Sequence, residues 1–244
     1  MSRFRERREA VGPLIRSARS LSFSQYGEDL LLAVTLFPNR HGRFVDVGAY
    51  HPWKSSNTYK LYLRGWSGLT IEPNPDVAEL FRRKRPRDTH VVGGVGASDS
   101  TLTYHRFDDA KLNTFSDEQV RTYRALGFEV LDTLDAPCRP LQSHLDAHGV
   151  GAIDLLAIDC EGYDLIALQG LDFARSRPTA ILVEDYDGFA KLKNGSGRSD
   201  IEDLLRSRGY APVGQALYTS LYVHLDALKS GRDDAFRLTQ VQFA

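Results

Sequence analysis

The segment spanning residues 44–72 constrains the fold more than any other part of the chain. A short apolar run, Phe44-Val45-Asp46-Val47, breaks at Gly48, and a second, Leu69-Thr70-Ile71, ends on Glu72. Between them, residues 55–63 can form a helix that Gly65 ends. Two buried strands joined by a helix make a βαβ unit, and such units build parallel sheets with helices on both faces. In an open parallel sheet, ligands bind beyond the carboxyl ends of the strands. Asp46, Gly48 and Glu72 stand at those ends.

The rest of the chain continues the alternation. Ser24 is expected to cap a helix carrying Leu30, Leu31, Val34 and Phe37, which Pro38 stops. After Glu72, Asp76 opens a helix through Val77, Leu80 and Phe81, and residues 90–92 form a strand closed by Gly93 and Gly94. Residues 101–107 alternate like an exposed strand, and 117–126 read as helical. A helix over 140–148 then leads to the most uninterrupted apolar run of the chain, 153–158, as a central parallel strand requires. Helix 164–171, strand 180–183 and helix 201–208 follow, the last ended by Gly209, and a polar Gly/Ser loop covers 193–199. Runs at 212–217 and 220–225 are spaced for an antiparallel hairpin. A chain of 244 residues suits one such α/β domain. The expected organisation is a basic N-terminal arm over 1–22 and a single domain over 23–244, with a lid or substrate insertion at 101–134.

Charge narrows the partners. A net charge of -1 and a pI near 6.7 provide no electrostatic pull toward nucleic acid. The apolar patch at 11–15 is too short for a signal peptide or a transmembrane segment. Cys138 and Cys160 form neither a disulfide framework nor a C-x-x-C metal pair, and a reducing cytoplasm is expected.

The first turn reads Asp46-Val47-Gly48-Ala49-Tyr50-His51-Pro52, in which Gly48 lets a bound molecule approach the backbone. It lacks the further glycines that seat a dinucleotide pyrophosphate, which counts against a nicotinamide-dependent oxidoreductase, the runner-up activity. Glu72 stands where a carboxylate can accept both hydroxyls of a ribose. Adenosine without pyrophosphate points to S-adenosylmethionine.

Asp159 and Glu161 follow the most apolar strand, where they can orient a substrate hydroxyl or accept its proton, and His51 is a further candidate for proton transfer. Asp159, Glu184 and Asp185 together offer oxygen ligands for a hard divalent cation. Carboxylate spacing alone does not demand one, and no metal is predicted. Cys160, between two acids, is not a nucleophile.

The motifs Ser24-Gln25-Tyr26-Gly27-Glu28-Asp29, Phe44-Val45-Asp46-Val47-Gly48-Ala49, Ser56-Asn57-Thr58, Gly65-Trp66-Ser67-Gly68, Ile71-Glu72-Pro73-Asn74 and Ile158-Asp159-Cys160-Glu161-Gly162 occur in this order. In that respect the chain resembles the FkbM-type methyltransferase family, from about residue 24 to residue 224. The resemblance implies a class I (Rossmann-like) methyltransferase: an α/β fold with a seven-stranded, mostly parallel sheet and one antiparallel strand near the C-terminus. It implies O-methylation of a hydroxyl on a carbohydrate, glycan or secondary metabolite, with S-adenosylmethionine as cofactor. Asp46, Gly48, Glu72 and Asp159 would line the cofactor site, the Gln25 segment would pack over it, and Tyr50, Pro73, Gly94 and Val95 would complete it. Ala157 and Cys160 stand where the family often carries Lys and Val, and His51-Pro52-Trp53 is inserted after the first turn; both departures bear on substrate preference. A homodimer is compatible with these features, as is a scaffold protein that binds the cofactor without turnover.

Overall fold

The computed structural model of the protein describes residues 21–35 and 41–229. The basic arm expected over 1–22 lies outside them but for its last two residues, as do Phe37 and Pro38 at the expected end of the first helix.

The chain opens with α1 (Glu28–Thr35), β1 (Arg43–Val47), α2 (Tyr59–Leu63), β2 (Ser67–Glu72), α3 (Ala78–Lys84) and β3 (Thr89–Val92). A second group follows: β4 (Gly94–Val95), β5 (Ser100–Phe107), α4 (Asp117–Ala125) and β6 (Val130–Arg139). The chain then returns through α5 (Leu141–Ala147), β7 (Leu155–Ile158), α6 (Asp164–Gln169), β8 (Ala180–Glu184), α7 (Tyr186–Asn194), α8 (Asp200–Ser207), β9 (Tyr210–Ala216) and β10 (Thr219–His224). Seven strands form one sheet in the order β3-β2-β1-β7-β8-β10-β9. Neighbours from β3 to β8 pair in parallel, whereas β10 runs antiparallel to both β8 and β9.

Both faces of this sheet are covered, which is why its strands read as unbroken apolar runs. Val45, Ile71, Leu156, Ile158 and Val183 face one side and join a core with Leu141 and Leu145 of α5, Leu168 of α6 and Leu205 of α8. The alternate residues Phe44, Leu155, Ala157 and Leu182 face the other side and pack with Leu32 of α1, Leu61 of α2 and Trp66. Burying one such aliphatic side chain contributes roughly 1.5–3 kcal/mol, so the central strands anchor the domain. No helix among the described residues is long and apolar enough to cross a membrane.

Three local expectations change. Residues 101–134 hold the expected strand and helix, but they also begin a strand that the sequence does not signal: β5 pairs antiparallel with β6 from Ser100 opposite Cys138 to Phe107 opposite Val130, and β4 completes a three-stranded second sheet. Strand β6 escapes sequence reading because one face is largely exposed and Pro137 reads as a strand breaker. Helix α7 covers 186–192, where the sequence signals no element, and takes the first two residues of the loop expected over 193–199. Its N-cap is Asp185, whose Oδ1 accepts from the Gly188 amide at 2.7 Å, and a Cβ on Gly188 would lie 2.2 Å from Asp185 Oδ2. Glycine at position 188 is thus required by the cap. Finally, the helix expected over 55–63 begins only at Tyr59, because Ser55 turns with φ +47 and Ser56 Oγ accepts from the Tyr59 amide at 3.2 Å.

Candidate active site

Strand register assembles the site. Val47 pairs with Ile71 on one side and Ile158 on the other, and Ile158 pairs with Val183. The next residue of each strand therefore falls on one line along the carboxyl edge: Glu72, Gly48, Asp159 and Glu184. In front of this edge lies an open cavity of about 770 Å3, mouth included. Of the residues singled out in sequence, Gln25, Asp46, Gly48, Tyr50, Glu72, Pro73, Gly94, Val95, Asp159 and Glu161 line it; His51, Glu184 and Asp185 do not.

Gly48 has φ +75, and a Cβ there would sit 1.8 Å from the Asp159 carbonyl oxygen. The missing Cβ makes room for the protein's own backbone, while Gly48 still lines the cavity. Gly48 lets β1 and β7 leave the sheet side by side, with Asp159 N donating to Val47 O and Gly48 N to Ile71 O, each at 3.0 Å. Three non-glycine residues of the cavity wall also adopt left-handed backbone: Tyr50 at φ +50, Ser55 at φ +47 and Glu161 at φ +48. Such conformations cost of order 1–3 kcal/mol each and persist where the surrounding structure holds them.

Tyr50 shows what its conformation achieves. Its amide donates to Glu72 Oε2 at 2.9 Å, the Asn74 amide donates to Oε1 at 2.9 Å, and the Tyr104 hydroxyl reaches Oε1 at 3.3 Å. Burial nevertheless pushes Glu72 from 4.5 up to about 6, these donors only partly offsetting the loss of water. A carboxylate accepts about four hydrogen bonds, so Glu72 is oriented by the protein without being saturated. Asp46, also buried, accepts from the Thr58 hydroxyl, and Thr58 Oγ1 in turn accepts from Arg85 Nη2 at 3.0 Å. Burial raises the Asp46 carboxyl, opposed by the nearby Arg85 guanidinium. Arg85, itself ion-paired to Asp88 at 2.5 Å with both side chains inaccessible, fixes this corner under the first turn.

Beyond Asp159 the edge is strongly acidic. One oxygen from each of Asp159, Glu161 and Glu184 lies within 4.8 Å of the others. Burial, then mutual repulsion, pushes Asp159 and Glu184 well above the usual carboxylate range. Glu161 rises to about 7, chiefly by burial, although its Oε2 accepts from the Tyr123 hydroxyl. The turn itself is closed by Asp164, whose two oxygens accept from the Cys160 amide at 2.9 Å and the Gly162 amide at 3.1 Å. Glu161 is thereby released from a capping role and faces the cavity. The Cys160 thiol is pushed well up by burial and the acids around it.

Two candidates are placed elsewhere. Asp185, which with Asp159 and Glu184 offers oxygen ligands in the sequence, serves as the α7 cap and accepts from Ser199 Oγ; Glu161 takes its place in the acidic group. His51 is held within its own turn, where Nδ1 accepts from the Trp53 and Lys54 amides at 3.3 and 3.1 Å and the ring meets Trp53 edge-on at 4.4 Å. Burial lowers its pKa.

The second sheet, the turn after β5 and the turn before α6 supply wall residues that the sequence does not single out. Tyr104 and Phe115 pack together at 4.8 Å, Asn113 holds the Phe107 amide through Oδ1 at 2.8 Å, and Tyr163 meets Phe115 at 5.7 Å. Gly94 keeps that contact close, since a Cβ there would lie 2.6 Å from both Cys138 Sγ and Phe115 Cζ. Alternation over 101–107 signals the strand; only its pairing with β6 brings Tyr104 to Glu72.

Comparison with known proteins bears on the same region. No curated protein matches the chain. A solved TehB-like SAM-dependent methyltransferase from Corynebacterium glutamicum is similar over 90% of this chain and 98% of its own, with 12% identity and a TM-score of 0.40. Residues 46–212 match the methyltransferase FkbM domain, a span that runs from Asp46 in β1 to the final hairpin and takes in the whole acidic edge. The chain belongs to the FkbM family of methyltransferases.

Proposed function

We propose that the protein is an S-adenosylmethionine-dependent O-methyltransferase that acts on a hydroxyl of a carbohydrate, glycan or secondary metabolite. On this reading the seven-stranded sheet is a class I, Rossmann-like methyltransferase sheet with β10 as its antiparallel strand. The observation that carries it is the convergence of Asp46, Glu72 and Asp159 on one cavity at the carboxyl edge of three adjacent parallel strands.

The lining suits this cofactor. Glu72 has acceptor capacity left for ribose hydroxyls, a wall of carboxylates complements a sulfonium and an ammonium, and no glycine-rich turn is present to seat a pyrophosphate. Bound there, the cofactor supplies an electrophilic methyl group that a hydroxyl oxygen takes by direct displacement, leaving a neutral thioether. The chain's own residues align and deprotonate. Asp46 and Glu72 fix the adenosine end, Tyr104 meets Glu72 there, Gln25 and Pro73 border it, and Phe115 of the 101–134 segment adds to the wall left for an acceptor. Asp159 or Glu161 takes the hydroxyl proton as the new carbon–oxygen bond forms. The raised pKa of Glu161, about 7, suits a base working near neutrality. His51, held away from the cavity wall, is better read as shaping the first turn.

Titration calorimetry with S-adenosylmethionine tests the reading. Glu72→Ala removes two charge-assisted hydrogen bonds to ribose, worth roughly 3 kcal/mol together, so affinity is expected to fall on the order of 100-fold. Unchanged affinity in a folded Glu72→Ala protein would sink the ribose assignment. Methyl transfer from labelled cofactor to a panel of glycans and small hydroxylated acceptors then identifies the acceptor class.

A further inference from the structure

We propose that Asp159, Glu161 and Glu184 hold one hard divalent cation, of the Mg2+, Mn2+ or Ca2+ class, at the acidic end of the cavity. The geometry is that of a single ion shared by three chain segments. The three ligand oxygens lie within 4.8 Å of one another, and oxygens bound to such a cation at roughly 2.0–2.6 Å lie within about twice that distance of each other. Two ligands stand at the ends of adjacent parallel strands, β7 and β8, and the third is turned toward them by the left-handed backbone at Glu161.

A second observation is independent of this clustering. Glu184 is only 6% exposed, and its Oε2 is buried without a hydrogen-bond partner. A buried carboxylate oxygen without a partner is costly, more so than a neutral group, and a coordinated cation removes that cost. The Tyr186 hydroxyl is a side-chain hydrogen-bond partner of Glu184, but it carries no positive charge and Oε2 remains without a partner. The charges that act most strongly on Asp159 are four further carboxylates, Glu161, Asp164, Glu28 and Asp46, while Lys111, the cation that acts on Glu161, stands 3.5 Å from Asp109. Carbonyl, carboxylate and water oxygens are what Mg2+, Mn2+ and Ca2+ select, and no thiolate or imidazole is needed here.

Asp159 and Glu161 line the cavity, so the ion would keep open positions toward an incoming acceptor. Its role in methyl transfer rests on the function proposed above; its existence does not.

The test uses the full chain, freed of metal by chelation, titrated with MnCl2 and followed by calorimetry and by electron paramagnetic resonance of free Mn2+. One saturable site per chain is expected, weakened at least about 10-fold in Glu184→Gln, the low end of what even outer-shell changes cost. Asp185→Asn, outside the ligand group, is expected to bind as the wild type does. Should Glu184→Gln fail to fold by circular dichroism, Glu161→Gln takes its place. No saturable site with Mn2+, Mg2+ or Ca2+ up to millimolar concentration overturns the proposal, and so does equal affinity in the variant; the trio then shares protons. Cofactor binding measured on the same preparations separates the two readings. S-adenosylmethionine bound without any metal site leaves the methyltransferase reading standing alone, and metal bound without the cofactor does the reverse.

Discussion

Gly48→Ala tests whether the first turn is dictated by the protein's own backbone. The added methyl group meets the Asp159 carbonyl oxygen at 1.8 Å, where an ordinary contact is 3.4 Å or more. That oxygen cannot step aside as a side chain would, because the Asp159 amide is tied to Val47 O at 3.0 Å in the centre of the sheet. The backbone at φ +75 adds its own cost, roughly 1–2 kcal/mol for an L residue, and forcing extra volume between packed strands adds about 1–3 kcal/mol. A destabilisation of about 2–5 kcal/mol is expected, a large share of the 5–15 kcal/mol typical of a domain. Urea unfolding followed by tryptophan fluorescence measures it as a lower midpoint at unchanged slope. Whatever structure survives must separate Gly48 from Asp159, so S-adenosylmethionine affinity is expected to fall as well. A variant within about 0.5 kcal/mol of wild type, with its cofactor affinity intact, would refute the claim that backbone crowding dictates this glycine.

Glu72 should make stability and binding depend on pH in opposite directions. Its folded pKa, about 6, exceeds the ordinary 4.5, so between these values the native state holds a proton that the unfolded chain has released; stability therefore falls as pH rises, by about 2 kcal/mol in all. Glu72→Gln should flatten this slope in urea titrations between pH 5 and 7, and an identical slope in the variant would exclude Glu72 as its source. Cofactor affinity, which needs the ionised carboxylate, is expected to increase over the same range in the wild type and not in Glu72→Gln. Arg85→Met leaves Asp88 buried and uncompensated, so a loss of about 3–5 kcal/mol is expected by thermal or urea denaturation; a neutral result would mean that the pair contributes no net stability. Ser199→Ala removes both the α8 cap and a partner of Asp185, costing about 1–2 kcal/mol while leaving Mn2+ affinity unchanged; reduced affinity would return Asp185 to the metal site.

Local pattern was enough to find the carboxyl edge. Asp46, Gly48, Glu72 and Asp159 could be picked out because each is a polar or glycine residue ending an apolar run, and parallel strands in register bring such ends together. The need for glycine at position 48 was also visible, but not its cause, since the atom it makes room for lies on a strand far away in sequence. The second sheet and the Tyr104 wall stayed hidden because β5 and β6 derive their stability from pairing with each other, and β6 alone shows too little alternation.

The acidic end depended most on tertiary structure. Sequence placed Asp159, Glu161, Glu184, Asp185 and His51 near the strand ends, but which of them share a site follows from the direction each side chain takes after its strand. Asp164 closes the turn and frees Glu161, Gly188 and Ser199 draw Asp185 into a helix cap, and two backbone amides hold His51 within its own loop. Composition and period set the sheet and its polar edge, because burial and strand alternation are written locally. The grouping of Asp159 with Glu161 and Glu184 is decided by the register of β7 on β8, which joins segments distant in the chain, together with short-range turn and cap hydrogen bonds that aim each side chain.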